Sequence, residues 1–202
     1  SDPASSADAS TERRYAIAIE GIAALGDSAA LVEAFEAESA LYEGRGEPAN
    51  AAQIDRRSRS DSELLAELLR SQGYYDALVE PHIDSAGDAV TVILEAEPGE
   101  QYRFESVELP GLDAAGEESN ALREAFAVER GDPVIAADVI AAGVALRVAL
   151  GEQGFALAEV GERQIEIDHS TRTASLVLPV EPGPLATFGE IRVSGGPPFS
   201  AN

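Results

Sequence analysis

"RSQGYYDALVEPHID" occupies residues 70–84, and "GEQGFALAEVGERQIEID" occupies residues 151–168. In each, a helix-like run reaches Gln-Gly, an aromatic residue follows, and an extended stretch begins. A helix is commonly stopped by a glycine in the left-handed conformation, which makes Gly73 and Gly154 the expected stop positions. Tyr74 and Phe155 then enter the next strand as core anchors at the corner. One chain making the same corner twice, 81 residues apart, is the observation that decides the fold.

Three more landmarks recur in the same order. A strand-like run ending in glycine occurs at 15–21 (YAIAIEG), 104–111 (FESVELPG) and 188–195 (FGEIRVSG). "RGEP" at 45–48 returns as "RGDP" at 130–133, and "EPG" at 97–99 returns at 181–183. The glycine offsets are 90 and 84 for the first landmark, 85 for the second and 84 for the last. A register kept over four landmarks marks an internal repeat.

Between landmarks the periodicity gives the elements. In "RGDP", Asp132 is the expected helix cap and Pro133 the first helical residue, where a missing N–H costs nothing. Glu47 and Pro48 fill the same slots less well. Leu64, Leu65, Leu68, Leu69 and Gln72 form a helical stripe in the first repeat, and Ile135, Val139, Ala142, Leu146 and Leu150 form one in the second. Earlier helices are expected at 28–41 (Leu31, Val32, Phe35 inward) and 117–127 (Leu122, Phe126 inward). Two strands end each repeat, joined by turns at 85–88 and 169–172. The last strands, AVTVILEAE and TASLVLPVE, are β-branched and expected at the sheet centre. The strands before them, Tyr74 to Ile83 and Phe155 to Ile165, carry Pro81 and Gly161 and belong at an edge.

Each repeat therefore reads β-α-α-β-β: an α+β fold whose unit is a three-stranded mixed sheet with two helices on one face. The expected organisation is a disordered lead-in at 1–11, a first domain at 12–98, a second at 99–182, and at 183–202 the first strand of a third unit left unfinished. "EPG" lies within a few residues of the next strand, so the domains should be closely coupled.

The chain has 202 residues and a formal net charge of -23, with 45% hydrophobic residues. That is enough apolar material for a core, and the acidity argues against a nucleic-acid surface. The acidity is shared: 18 acidic and 7 basic residues in 12–98, against 16 and 6 in 99–182. All 14 cations are arginine. There is no Cys, which removes disulfides and thiolate chemistry. No run approaches the roughly 18 apolar residues of a membrane-spanning helix. Lacking Met and starting at Ser, the chain is expected to have been processed or cut from a longer protein, with any signal peptide upstream.

A tandem β-α-α-β-β unit with "G-x-P" before its second helix and "GY" or "GF" after it resembles the POTRA (polypeptide-transport-associated) domain. The resemblance covers residues 13–195, with Gly46, Pro48, Gly73, Tyr74, Gly131, Pro133, Gly154 and Phe155 as its motif positions. Within that superfamily, "IDRRSRSDSELLAELLRSQGYYDALVEPHID" at 54–84 is most similar to the first domain of the outer-membrane subunit of the translocation and assembly module. The resemblance implies the periplasmic side of the bacterial outer membrane, unfolded outer-membrane protein clients (autotransporters among them), an inner-membrane or periplasmic assembly partner, and a C-terminal barrel embedded in the membrane. Two other readings share the domain. A two-partner secretion transporter usually carries two copies, against which the third strand start speaks; a division or scaffold protein would carry one.

Candidate sites follow from the edge strands. Tyr75, Ala77, Val79 and Pro81 in one repeat and Ala156, Ala158 and Val160 in the other are candidates for pairing with an extended client, unless neighbouring loops cover them. Arg56, Arg57 and Arg59, the densest cations, are either a patch for an acidic partner or lipid headgroups or a solvated helix face. His82 and His169 lack metal-ligand spacing, and no loop has the alternating acids of a calcium site. No nucleophile elbow or phosphate loop is present, so neither an enzyme nor a cofactor is expected.

Overall fold

A computed structural model of the chain describes residues 12–86 and 89–185. The expected lead-in at 1–11 and the third-unit strand at 187–193 lie outside the described residues. Packing divides the chain into two compact units that do not follow the repeat boundary at 98 and 99. One comprises the residues to Val107 with Val128–Ala141 and Gln164–Val177; the other comprises Glu108–Ala127, Ala142–Arg163 and the residues from Leu178.

The first repeat runs β1 (Tyr15–Glu20), α1 (Ser28–Glu38), α2 (Ala40–Glu43), α3 (Ala51–Ser71), β2 (Leu78–Ala86) and β3 (Ala89–Glu97). Its sheet order is β1-β3-β2, with β1 parallel and β2 antiparallel to β3. The β-branched strand is thus central, as its composition demands, and Val90, Val92, Leu94 and Ala96 alternate inward. They meet Leu31 and Phe35 of α1 and Ile54, Leu65 and Leu69 of α3, while Leu64 and Leu68 pack at the margin. Each fully buried Leu there contributes roughly 1.5–3 kcal/mol. The helix expected over 28–41 breaks at Ser39, whose extended backbone and hydroxyl cap α2 through Tyr42 N–H.

The second repeat continues with β4 (Arg103–Glu108), a 3-10 segment (Leu112–Glu118), α4 (Ser119–Phe126), α5 (Ala136–Glu152), β5 (Glu159–Val160), β6 (Gln164–Asp168), β7 (Thr173–Val177) and β8 (Val180–Glu181). Its three-stranded sheet has the order β4-β7-β6, the same arrangement as in the first repeat. Leu178 N–H donates to Glu108 and Val180 N–H to Pro110, at 2.9 and 2.8 Å. Both acceptor and donor advance together, which is the signature of parallel chains. The second unit buries Leu112, Leu122, Phe126, Leu146, Leu150 and Phe155.

Two expectations are corrected at the helix starts. α3 begins at Ala51, capped by Asn50 in a reciprocal box with Gln53, so Glu47 and Pro48 lie outside it. α5 begins at Ala136; Asp132 instead accepts from Glu129 N–H and closes the turn before it. The reason is the same in both repeats. Each "R-G-x-P" turn must first bridge back to the start of the repeat's first strand, Arg13 just before β1 to Ala49 and Arg103 at the head of β4 to Pro133, and the helix can start only beyond that bridge. Gly46 and Gly131 make the turn at φ 91° and 96°.

The first landmark also acquires a reason. A Cβ on Gly21 would sit 1.8 Å from the Ala96 carbonyl oxygen, and one on Gly111 would sit 2.1 Å from that of Val180. Only a glycine lets the end of the repeat's first strand pass its neighbour that closely.

Candidate interaction surfaces

The corner that opens each edge strand is the same twice over. Gly73 and Gly154 both take φ 89°, as a left-handed helix stop requires. The chain then makes one further turn, closed by Ala77 N–H to Tyr74 at 3.2 Å and by Ala158 N–H to Phe155 at 3.1 Å. The strands therefore start later than the composition suggested. Tyr74 packs at the margin of the first core and Phe155 is buried, both as anchors. Tyr75 lies in the turn with its ring 5.2 Å from that of Tyr102, and Ala77 is buried; neither is on the edge. Val79 and Pro81 are on β2, half-buried, and β2 is an edge strand.

The second edge is not one strand. Ala156 and Ala158 belong to the turn, Val160 pairs with Val180 in the short β5–β8 ladder, and the edge of the three-stranded sheet is β6. Pro179 explains the division. It has no N–H to donate, so the ladder breaks between Val177 and Val180, and the facing chain breaks between Val160 and Gln164. Gly161 N–H donates to the Pro179 carbonyl at 2.9 Å inside the gap.

The arginine cluster does not form one face. Arg57 turns in and donates to the Tyr15 hydroxyl at 3.1 Å, and that hydroxyl in turn donates to the Leu41 carbonyl at 2.8 Å. Arg59 pairs with Asp55 one helical turn back at 3.1 Å, and Arg56 is exposed. On the buried side of the same helix, Asp61 is 1% exposed and accepts from Ser39 Oγ and, at 2.9 and 3.0 Å, from the Ala40 and Leu41 N–H groups. Its carboxylate thereby holds the first turn of α2.

Within the first compact unit lies a polar cluster that no local pattern announced. Tyr102, fully buried, donates its hydroxyl to Asp76 Oδ1 at 2.8 Å, with His169 Nδ1 3.0 Å from the same hydroxyl. His169 Nδ1 is 3.3 Å from the same carboxylate oxygen, and Arg172 Nε is 3.5 Å from the other. Arg172 also reaches Glu100 at 3.0 Å. Burial, and then the Asp76 contact, push the Tyr102 hydroxyl up to about 12. The same hydroxyl bond, joined by His169 and Arg172, holds Asp76 below the usual carboxylate range. Beside it, Tyr102 N–H donates to Gly73, and Gln101 Nε2 to Gln72, so the segment after β3 is pinned to the end of α3. The cluster ties Asp76, Tyr102 and the turn at His169 and Arg172 to one another. His82 pairs across the sheet with Glu95 at 3.0 Å. Among the described residues no group of three or more His, Asp and Glu could hold a metal ion, and no helix is long and apolar enough to cross a membrane.

No protein-family model and no curated protein matches the chain. Among solved structures it is similar to the third to fifth POTRA domains of BamA from Haemophilus influenzae, at 19% identity and a TM-score of 0.44, over 94% of this chain and 74% of that one. It is also similar to the first three POTRA domains of the periplasmic domain of Omp85 from Anabaena, at 14% identity and a TM-score of 0.43, over 83% of this chain and 60% of that one. A third similarity is to CdiB from Escherichia coli, at 10% identity and a TM-score of 0.37, over 89% of this chain and 29% of that one.

Proposed function

We propose that the chain is a tandem POTRA segment of the periplasmic arm of an outer-membrane assembly or translocation factor. In this reading it receives unfolded outer-membrane or autotransporter polypeptides and passes them to a C-terminal β-barrel. The observation that carries the reading is the double β-α-α-β-β unit: two sheets of the same strand order, entered through the same helix stop, each leaving an edge strand at the end of the ladder. An edge strand offers unpaired N–H and C=O groups to any extended chain, whatever its sequence. At roughly 1 kcal/mol net per hydrogen bond, a few such bonds hold a client without trapping it. Val79 and Pro81 on β2, and β6 in the second repeat, are the first places to look. The subunit of the translocation and assembly module is the member of the class we favour, on the strength of the stretch at 54–84.

The test is made on the intact native protein with antiserum raised to these 202 residues. An outer-membrane band much larger than this chain, whose gel mobility shifts on heating as folded barrels do, is the expected outcome. A product confined to the inner membrane or the soluble fraction would sink the barrel and leave a tandem interaction module.

A further inference from the structure

Helix α5 has two apolar faces but buries only one. Val139, Ala142, Leu146 and Leu150 are buried, while Ile140, Val144 and Val148 on the other side are 49%, 52% and 54% exposed. A helix that is apolar all round is normally covered all round. The outward residues are ordered rather than scattered. Ala137, Ala141, Val144, Val148 and Gly151, all exposed, are spaced four, three, four and three. That is the seam along which one helix packs on another, knobs into holes. Asp138 and Arg147 lie off the seam, nine residues apart and so on opposite sides of the helix.

The seam is its own complement. Its N-terminal half is small, Ala137 and Ala141, and its C-terminal half is branched, Val144 and Val148. Let two copies run antiparallel about a two-fold axis midway between Ala141 and Val144. Ala141 then faces Val144 of the other copy and Ala137 faces Val148, so each branched side chain meets a small one. A parallel pair would set valine on valine and alanine on alanine, crowding one half and leaving gaps in the other. Charge selects the same occupant. A chain of net charge -23 repels its own copy except along a stretch as free of charge as this one. A lipid surface fits poorly, because α5 has one cation, Arg147, where interfacial helices carry many. Two 17-residue helices meeting on this seam bury on the order of 1,000 Å² in total, the low end for a specific interface.

We propose that the outward face of α5 is a homodimer interface, in which two copies of this chain pair antiparallel through Ala137, Ala141, Val144 and Val148. The pair is weak and reversible, as its area requires. It strengthens with salt, as the repulsion between two acidic chains is screened. It is independent of client handling, which concerns the sheet edges.

The test is sedimentation velocity of the 202-residue chain over a wide range of concentration, at low and at high salt. A monomer–dimer equilibrium is expected, shifted toward dimer by salt and weakened roughly tenfold or more by Val144→Glu. Unchanged circular dichroism of that variant would show that it is folded. The chain has no Cys, so Ala137→Cys and Val148→Cys each place a single thiol on the seam. Mild oxidation should give a disulfide dimer when the two variants are mixed, and little with either alone. Disulfide dimers from each variant alone would overturn the antiparallel pairing. A chain monomeric at every concentration, or a dimer untouched by Val144→Glu, would overturn the interface. So would a dimer that salt dissolves, since charge and not the seam would then hold it. Loss of the fold in Val144→Glu would mean that the chain covers this face itself, which also overturns the interface.

Discussion

Helices α3 and α5 hold the same place in their repeats and are made of opposite materials. α3 buries Ser58, Asp61 and Ser62 among its leucines and exposes Arg56, Arg59, Glu63, Glu67 and Arg70. α5 buries Val139, Ala142, Leu146 and Leu150 and exposes Ile140, Val144 and Val148, each near half. Between Asp138 and Glu152 it carries a single charge, Arg147. The shared architecture therefore cannot come from the helices' outward faces, and inward Leu65 and Leu69 of α3 correspond to Leu146 and Leu150 of α5. It comes from what the repeats do share, these inward leucines, the glycine turns and the bridge that sets where each helix may start.

The largest effect should appear where both repeats obey one steric rule. Gly21→Ala and Gly111→Ala each drive a Cβ into a backbone carbonyl at positive φ. Each should cost at least about 3 kcal/mol, since strand and neighbour must separate. Urea unfolding would measure it. Near-normal stability of either variant would break the claim that the landmark exists for close approach.

Next comes the device that the first repeat has and the second lacks. Asp61→Ala leaves the Ala40 and Leu41 N–H groups without their acceptor, and we expect a loss of roughly 2–4 kcal/mol. Asp61→Asn keeps one acceptor oxygen and should lose less. Equal losses would show that charge at the α2 terminus, rather than the count of acceptors, is what matters.

Gly46→Ala and Gly131→Ala sharpen the distinction between crowding and backbone conformation. Both glycines have φ above 90°, yet a Cβ would meet nothing within 4 Å. Only the left-handed conformation is then penalised, by roughly 1 kcal/mol, and by the same amount in both repeats.

The Asp76–Tyr102 pair gives a pH signature at two ends. The carboxyl of Asp76 is depressed in the folded chain, so its contribution is present above its ordinary 3.8 and lost as pH falls through the lower folded value. Tyr102 is raised from 10.0 to about 12, so its contribution is present below 10.0 and lost as pH rises through about 12. Asp76→Asn should flatten the acid limb of a plot of Tm against pH, and Tyr102→Phe the alkaline limb. Unchanged limbs would mean that the cluster does not link protonation to folding.

How much of this could be read beforehand divides along sequence distance. The repeat, the central β3 and the edge position of β2 depend on local composition and were legible. The starts of α3 and α5 were not, because Glu47 and Asp132 resemble caps until the bridges to Arg13 and Arg103 are known. Pro179 lies within a strand-like run, but its effect falls on the facing chain at Gly161. Asp61 and Ser39, 22 residues apart, and Tyr102 and His169, 67 apart, look like ordinary polar residues until folding brings them together.

The smallest effect tests the contrast between α3 and α5 most directly. If the outward face of α5 takes no part in holding the second repeat, Val144→Gln should change stability by no more than about 0.5 kcal/mol, like other surface substitutions. Val144 is 52% exposed, so replacement removes little buried area, while Leu146, two residues on, is fully buried. Leu146→Ala is the matched control and should cost roughly 2–5 kcal/mol. A large loss at Val144 would mean that this face is covered in the folded chain. A small one leaves α5 with apolar surface that folding alone does not require, the reverse of α3, whose exposed face is charged along its length.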